Sequence, residues 1–254
     1  MKNEKPKNNS AAPIVIIGLV LVAVVGGAWY LYSQSKPNTN SNTPRPGATP
    51  AKAATVNPNA PLGANPPNML GSPTAPVTVE EFADFQCPTC GSTHPIMKEI
   101  QSTYGSKIRF IYREFPLPMH DKGYDAAVAA EAAGLQGKFW AMQDQLFTNQ
   151  QAWSSAGSNA KEIWAGYAQK IGLDAQQWQN DMAGIAAKSR VDQDLQRGKA
   201  LNVTSTPSVF INGELVPFPD LNVAGIRRLI DAKLQEVGGG QASGSATSQV
   251  NANK

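Results

Sequence analysis

Residues 76–90 read Pro76-Val77-Thr78-Val79-Glu80-Glu81-Phe82-Ala83-Asp84-Phe85-Gln86-Cys87-Pro88-Thr89-Cys90, and this stretch decides the fold. Val77, Val79, Phe82 and Phe85 supply the apolar content of a buried strand over residues 76–85. Cys87 and Cys90 follow at once and are the only two cysteines of the chain. A helical pattern then runs to Tyr104, with Ile96, Ile100 and Tyr104 spaced by four and Pro95 expected to kink it. A cysteine after a strand and at a helix start lies among unpaired backbone N–H groups at the positive end of the dipole. That environment favours the thiolate, the reactive form. Cys90, one turn inside, should be more buried and less reactive. Cys87 would then exchange with a partner, and Cys90 would resolve or regenerate the mixed disulfide.

The pair admits two other readings. A purely structural disulfide at this spacing closes a tiny loop and constrains little of the unfolded chain. A zinc or copper site would combine Cys87 and Cys90 with His94 and His120, the only histidines, and would make the protein a metallochaperone. It lacks two clean ligand pairs and needs the fold to bring His120 in. Otherwise His94 faces solvent on the helix and His120 lies in a loop. With two cysteines in all, a disulfide-scaffold protein is excluded.

Residues 107–115 alternate as a second strand, with Ile108, Phe110 and Tyr112 against Lys107, Arg109 and Arg113. From about residue 121 to 201 only helical spacing is found, as in Phe139, Met142 and Leu146 or Ile163, Tyr167 and Ile171, with Asp174 as an N-cap. Two short apolar runs then flank Asn212-Gly213, a strong hairpin signal. Asp220 is expected to cap a last helix striped by Val223, Ile226, Ile230, Leu234 and Val237. Strand, CxxC helix, strand, helical block, hairpin and helix make an α/β, thioredoxin-like core with a helical insertion between its halves.

The ends differ from this core. Residues 8–35 carry no charge, and residues 12–32 are long enough to cross a bilayer as a single transmembrane helix, for which about 20 residues suffice. Lys2, Lys5 and Lys7 precede it, so the N-terminal tail (residues 1–11) stays cytoplasmic and the rest is extracytoplasmic. A cleaved signal peptide, cut near Gly26-Gly27-Ala28, is the competing reading, but the run is longer than a typical signal-peptide core. Residues 33–68 hold eight prolines and seven asparagines and read as a tether, with a reach on the order of 35 Å. Residues 238–254 read as a disordered tail. The net charge of +3 also comes from the ends, because residues 1–68 hold six basic residues and one acidic. The remaining 186 hold 16 and 18, which argues against nucleic acid as a partner.

Gly71-Ser72-Pro73, Ala75-Pro76-Val77, residues 81–90 and residues 206–213 (Thr-Pro-Ser-Val-Phe-Ile-Asn-Gly) together resemble a DsbA-type thiol-disulfide oxidoreductase. Residues 138–142 and Leu146-Phe147 are similar to the family's helical insertion, so the likeness spans nearly all of residues 69–237. The resemblance implies an enzyme forming disulfides in exported or secreted proteins, anchored in the membrane and recycled by a separate redox partner. For an oxidase the family expectation is a quinone-coupled membrane protein. A reductase or isomerase is the runner-up. No cofactor is implied beyond the redox-active Cys87–Cys90 disulfide.

The resemblance also assigns roles. Thr206-Pro207 matches a cis-proline loop that lies against the disulfide and binds extended substrate. Glu81 matches a buried acid relaying a proton for the second cysteine, although neighbouring Glu80 leaves the choice of carboxylate open. Thr89 departs from the best-known members, which carry histidine there. The missing cation beside Cys87 predicts a weaker oxidant.

Overall fold

The computed structural model describes residue 57 and residues 59–245, with side chains to residue 238. The apolar run 12–32, most of the tether and the last nine residues lie outside the described residues. No helix among the described residues is long and apolar enough to cross a membrane.

Five strands form one sheet: β1 (Asn68–Gly71), β2 (Val77–Ala83), β3 (Ile108–Glu114), β4 (Ser208–Ile211) and β5 (Glu214–Leu215). Their order is β1-β3-β2-β4-β5. β2 and β3 are parallel, and the other pairs are antiparallel. The parallel pair needs a crossover, and α1 (Pro88–Tyr104) supplies it. α1 therefore begins at the C-terminal edge of the central strand. β4 and β5 are joined through Asn212 and Gly213, both at positive φ, as a two-residue hairpin turn requires.

Between β3 and β4 lie α2 (Gly123–Leu135), α3 (Phe139–Thr148), α4 (Gln150–Ser154), α5 (Ala160–Lys170), α6 (Ala175–Ala183) and α7 (Ile185–Ala200). The insertion organises around α2. Ala126, Ala127, Ala129, Ala130, Ala132 and Ala133 are all buried there together with Glu131, which pairs with Arg190, so neighbours close in on the helix. Trp178 from α6 donates its indole N–H to the Ala129 carbonyl at 3.0 Å. Asp174 caps α6 as expected, accepting from the Gln177 amide at 2.9 Å.

Successive β2 residues point to opposite faces of the sheet. Val77, Val79 and Ala83 enter the main core with Cys87 and Cys90. Phe82 enters a smaller cluster with Phe115, Phe210, Leu201 and Val203. Glu81 therefore belongs to the active-site face and Glu80 to the other.

Four expectations need correction. The alternation that put Arg113 in solvent fails, since it is only 4% exposed. Its guanidinium holds Glu80 at 2.7 Å and Asp194 of α7 at 2.9 Å, and Arg197 grips the same Glu80. Burial alone would raise the Glu80 carboxyl; Arg197 and Arg113 together hold it below the usual range. Second, the tether ends before residue 68. Arg113 also donates to the carbonyls of Leu62 and Ala64, and the Ala64 amide donates to Asp194 at 2.7 Å. Gly63 at φ +78° threads this crossing, where a Cβ would lie 2.6 Å from Asp194 Oδ1. Such buried charge clusters are costly to break, about 3–5 kcal/mol. Third, Asp220 is not the cap of the last helix, α8 (Val223–Ser245); Asn222 accepts from the Gly225 amide, and Asp220 pairs with Arg228. α8 also continues past residue 237, into the stretch read as a disordered tail. Fourth, His94 is buried rather than solvent-facing: it stacks on Phe147 and bonds Asp144 of α3 at 3.0 Å.

Candidate active site

Cys87 is the N-cap of α1, with extended backbone (φ −71°, ψ 120°) and no side-chain cap. Pro88 occupies the first turn, where its missing N–H costs nothing. Both cysteines are thiols in this structure. Cys87 is 6% exposed and Cys90 0%. The sulfur of Cys87 donates to the Thr206 carbonyl at 3.3 Å, which brings the hairpin half of the chain against the motif. The Thr206–Pro207 bond is cis.

The two thiols are held in opposite states. The Cys87 thiol is pulled down to about 5, first by the Cys90 thiol donating to it and then by Thr206 and the amides of Cys90 and Thr89, against partial burial. The Thr206 hydroxyl itself has no partner at hydrogen-bond length. Burial pushes the Cys90 thiol far up, and the neighbouring Cys87 adds to it. The depression of Cys87 needs no cation at Thr89; donors at the helix start supply it.

Glu81 is 3% exposed, and burial alone pushes its carboxyl up to about 8. It is register partner to Tyr112 on β3, and Tyr112 feels the charges of both Glu81 and Cys90. Of the two adjacent carboxylates, Glu81 is the one on the sheet face that carries the cysteines, while Glu80 is committed to Arg113 and Arg197.

The turn into Cys87 is braced from two sides. Asp84 accepts from the Gln86 and Leu117 amides and from His120 Nδ1 at 2.6 Å. From the insertion, Gln150 donates to the carbonyls of Phe85 and Cys87. Sequence reasoning missed Gln150, because a lone glutamine 60 residues from the motif carries no signal. The metal reading requires His94 beside the sulfurs, but His94 is bound to Asp144 and His120 to Asp84. Among the described residues, no group of three or more His, Cys, Asp or Glu side chains is placed to hold a metal.

The geometry can be set beside known proteins. A thioredoxin-like oxidoreductase from Silicibacter pomeroyi DSS-3 is 28% identical, with a TM-score of 0.54 over 70% of this chain and 94% of that one. BdbD from Bacillus subtilis, in its oxidised form, has a TM-score of 0.58 at 21% identity, over 73% of this chain and 100% of that one. At that identity the likeness is one of fold. Among curated sequences, the Na(+)/H(+) antiporter NhaA 1 of Mycolicibacterium gilvum is 35% identical over 152 residues, 58% of this chain and 23% of that protein. The chain thus spans about a quarter of the length of the curated relatives it matches. The thioredoxin family model matches residues 64–232, well over half of the chain. On that match the chain belongs to the thioredoxin family, with helices inserted between the two halves of the core.

Proposed function

We propose that the protein is a thiol-disulfide oxidoreductase that forms disulfides in exported proteins through Cys87 and Cys90. The observation that carries this is the contrast between a Cys87 thiol near 5 and a fully buried Cys90 beside it. In the oxidised enzyme a substrate thiolate attacks the sulfur of Cys87. The Cys87–Cys90 bond breaks, a mixed disulfide forms, and Cys90 leaves with the electron pair. Cys90 then takes a proton, for which the protonated Glu81 on the same face of the sheet is the proposed source. A second substrate thiolate attacks the substrate sulfur of the mixed disulfide, and Cys87 leaves as a thiolate. Substrate loses two electrons and the enzyme becomes a dithiol.

Magnitudes favour this direction. A free thiol near 8.5 is only a few per cent thiolate at pH 7, so depression to about 5 gives roughly 30-fold more. The accompanying loss of nucleophilicity, with a Brønsted slope of about 0.4–0.5, cancels most of that gain. The net benefit falls on Cys87 as leaving group and on stabilising the reduced enzyme, and both drive oxidation of substrate. Thr206 and Pro207 are the proposed docking edge for extended substrate. A separate redox partner must remove the two electrons. The uncharged run 12–32 with its preceding lysines supports an anchored domain on the extracytoplasmic side.

Equilibration of the Cys87–Cys90 pair against glutathione tests the direction. The proposal expects a potential above about −180 mV and regain of disulfides by a reduced, unfolded substrate. A potential near −270 mV would make the protein a reductant instead.

A further inference from the structure

The Cys87 side chain makes no capping hydrogen bond to α1, yet the sulfur's state depends on where the first N–H groups of α1 point. A hold on that turn from the helical insertion comes from Gln150, at the start of α4. Its Nε2 donates to the Phe85 carbonyl at 2.6 Å and to the Cys87 carbonyl at 2.8 Å. Those carbonyls belong to the Phe85–Gln86 and Cys87–Pro88 peptides, so one amide group fixes the peptide plane that enters Gln86 and the one that leaves Cys87. The other end of the same amide lies against α1, where a Cβ at Gly91 would come within 2.7 Å of Gln150 Oε1. The inserted helices also pack here, through Phe147 on Phe85 at 4.7 Å and on His94 at 4.9 Å between ring centres. An aromatic contact tolerates sliding. Two short hydrogen bonds from one planar amide do not.

We propose that Gln150 is a positioning residue through which the helical insertion sets the reactivity of Cys87, by locking the carbonyls of Phe85 and Cys87 and hence the start of α1. This deepens the proposed function and rests on Cys87 being the exchanging thiol. With the clamp in place, the amides of Thr89 and Cys90 are aimed at the sulfur, the arrangement that holds the thiol down. Without it the turn relaxes and the donors lose their aim, while the fold, whose core does not include Gln150, is retained. Gly91 has a matching role, since only a residue without a Cβ leaves the amide its place.

The test uses the reduced full chain and reads the Cys87 thiolate by its absorbance at 240 nm against pH, with alkylation rate as a second readout. Gln150→Met keeps the length of the side chain and removes its donor. The midpoint should rise, and alkylation well below the midpoint should slow roughly tenfold per unit of rise. Gly91→Ala, which pushes the amide away from the other side, should act in the same direction. Combined with Gln150→Met it should add little, because both break one contact. If folded Gln150→Met melts lower but keeps the wild-type midpoint and alkylation profile, Gln150 is a structural brace only and the inference falls. A wild-type Cys87 that titrates like a free thiol would overturn this inference together with the proposed function. A depressed wild-type thiol that is indifferent to both variants overturns this inference alone.

Discussion

Cys90→Ala should convert the enzyme into a trap. Incubated with a substrate whose cysteines are oxidised, the reduced variant should accumulate a mixed disulfide through Cys87, and turnover should fall to the background of uncatalysed exchange. Cys87 keeps its place at the N-cap and the 6% of its surface that is exposed, so attack proceeds. What disappears is the sulfur one turn inside the helix that resolves the adduct. Cys87→Ala should also lose turnover but should form no adduct, because Cys90 is fully buried and held protonated. Thr206→Val should leave the dithiol able to close, because it keeps the carbonyl 3.3 Å from Cys87, yet change how long substrate is held, because it removes the hydroxyl from the proposed docking edge. Non-reducing gels with peptide mapping read all three variants. Equal adducts through either cysteine would remove the division of labour.

The second large effect belongs to Glu81, and it reverses the usual pH behaviour of a carboxylate. An unfolded glutamate titrates near 4.3, whereas burial pushes Glu81 up to about 8. Between those values the native state binds the extra proton, so native stability falls as pH rises from about 4.3 to 8 and levels off above. At about 1.4 kcal/mol per unit the full loss has an upper bound on the order of 5 kcal/mol. Glu81→Gln retains the shape and cannot ionise. Its stability should fall less steeply over that window, the remaining slope coming from other buried carboxyls such as Glu114, and above pH 8 it should exceed wild type by several kcal/mol in urea unfolding. The same variant cannot pass a proton, so release of Cys90 should slow by roughly the 10²–10⁴-fold that general acid–base groups supply. Parallel stability profiles, or a gain in stability without loss of turnover, would show that Glu81 does not serve Cys90.

Much of this was readable before the structure because the decisive signals are local. A CxxC after an apolar run, an Asn-Gly pair between two short apolar runs, and Asp174 ahead of a helical stripe each act within a few residues, and each element lies where expected. The misses share the opposite property. Arg113 looked like the polar side of a half-exposed strand, because alternation cannot reveal that Glu80, 33 residues earlier, and Asp194, 81 residues later, converge on it. The segment around Ala64 looked like tether because its apolar content is low; it is held instead by its backbone, which sequence hydrophobicity does not report. His94 looked exposed for want of knowing that Phe147 and Asp144 would cover it. At the site, the two cysteines and the Thr-Pro loop were legible as motifs. The choice of Glu81 over Glu80 needed the sheet's facing, and Gln150 needed the tertiary contact itself.

The central claim is that the start of α1 makes Cys87 a reactive thiolate and leaves Cys90 inert, and brief alkylation of the reduced protein near neutral pH measures this most directly. After quenching and peptide mapping, the label should be found on Cys87, with a rate that stays constant down to about pH 5–6, while Cys90 reacts only slowly unless the protein is unfolded. Label first on Cys90, or equal rates with a free-thiol pH profile at both positions, would contradict the account.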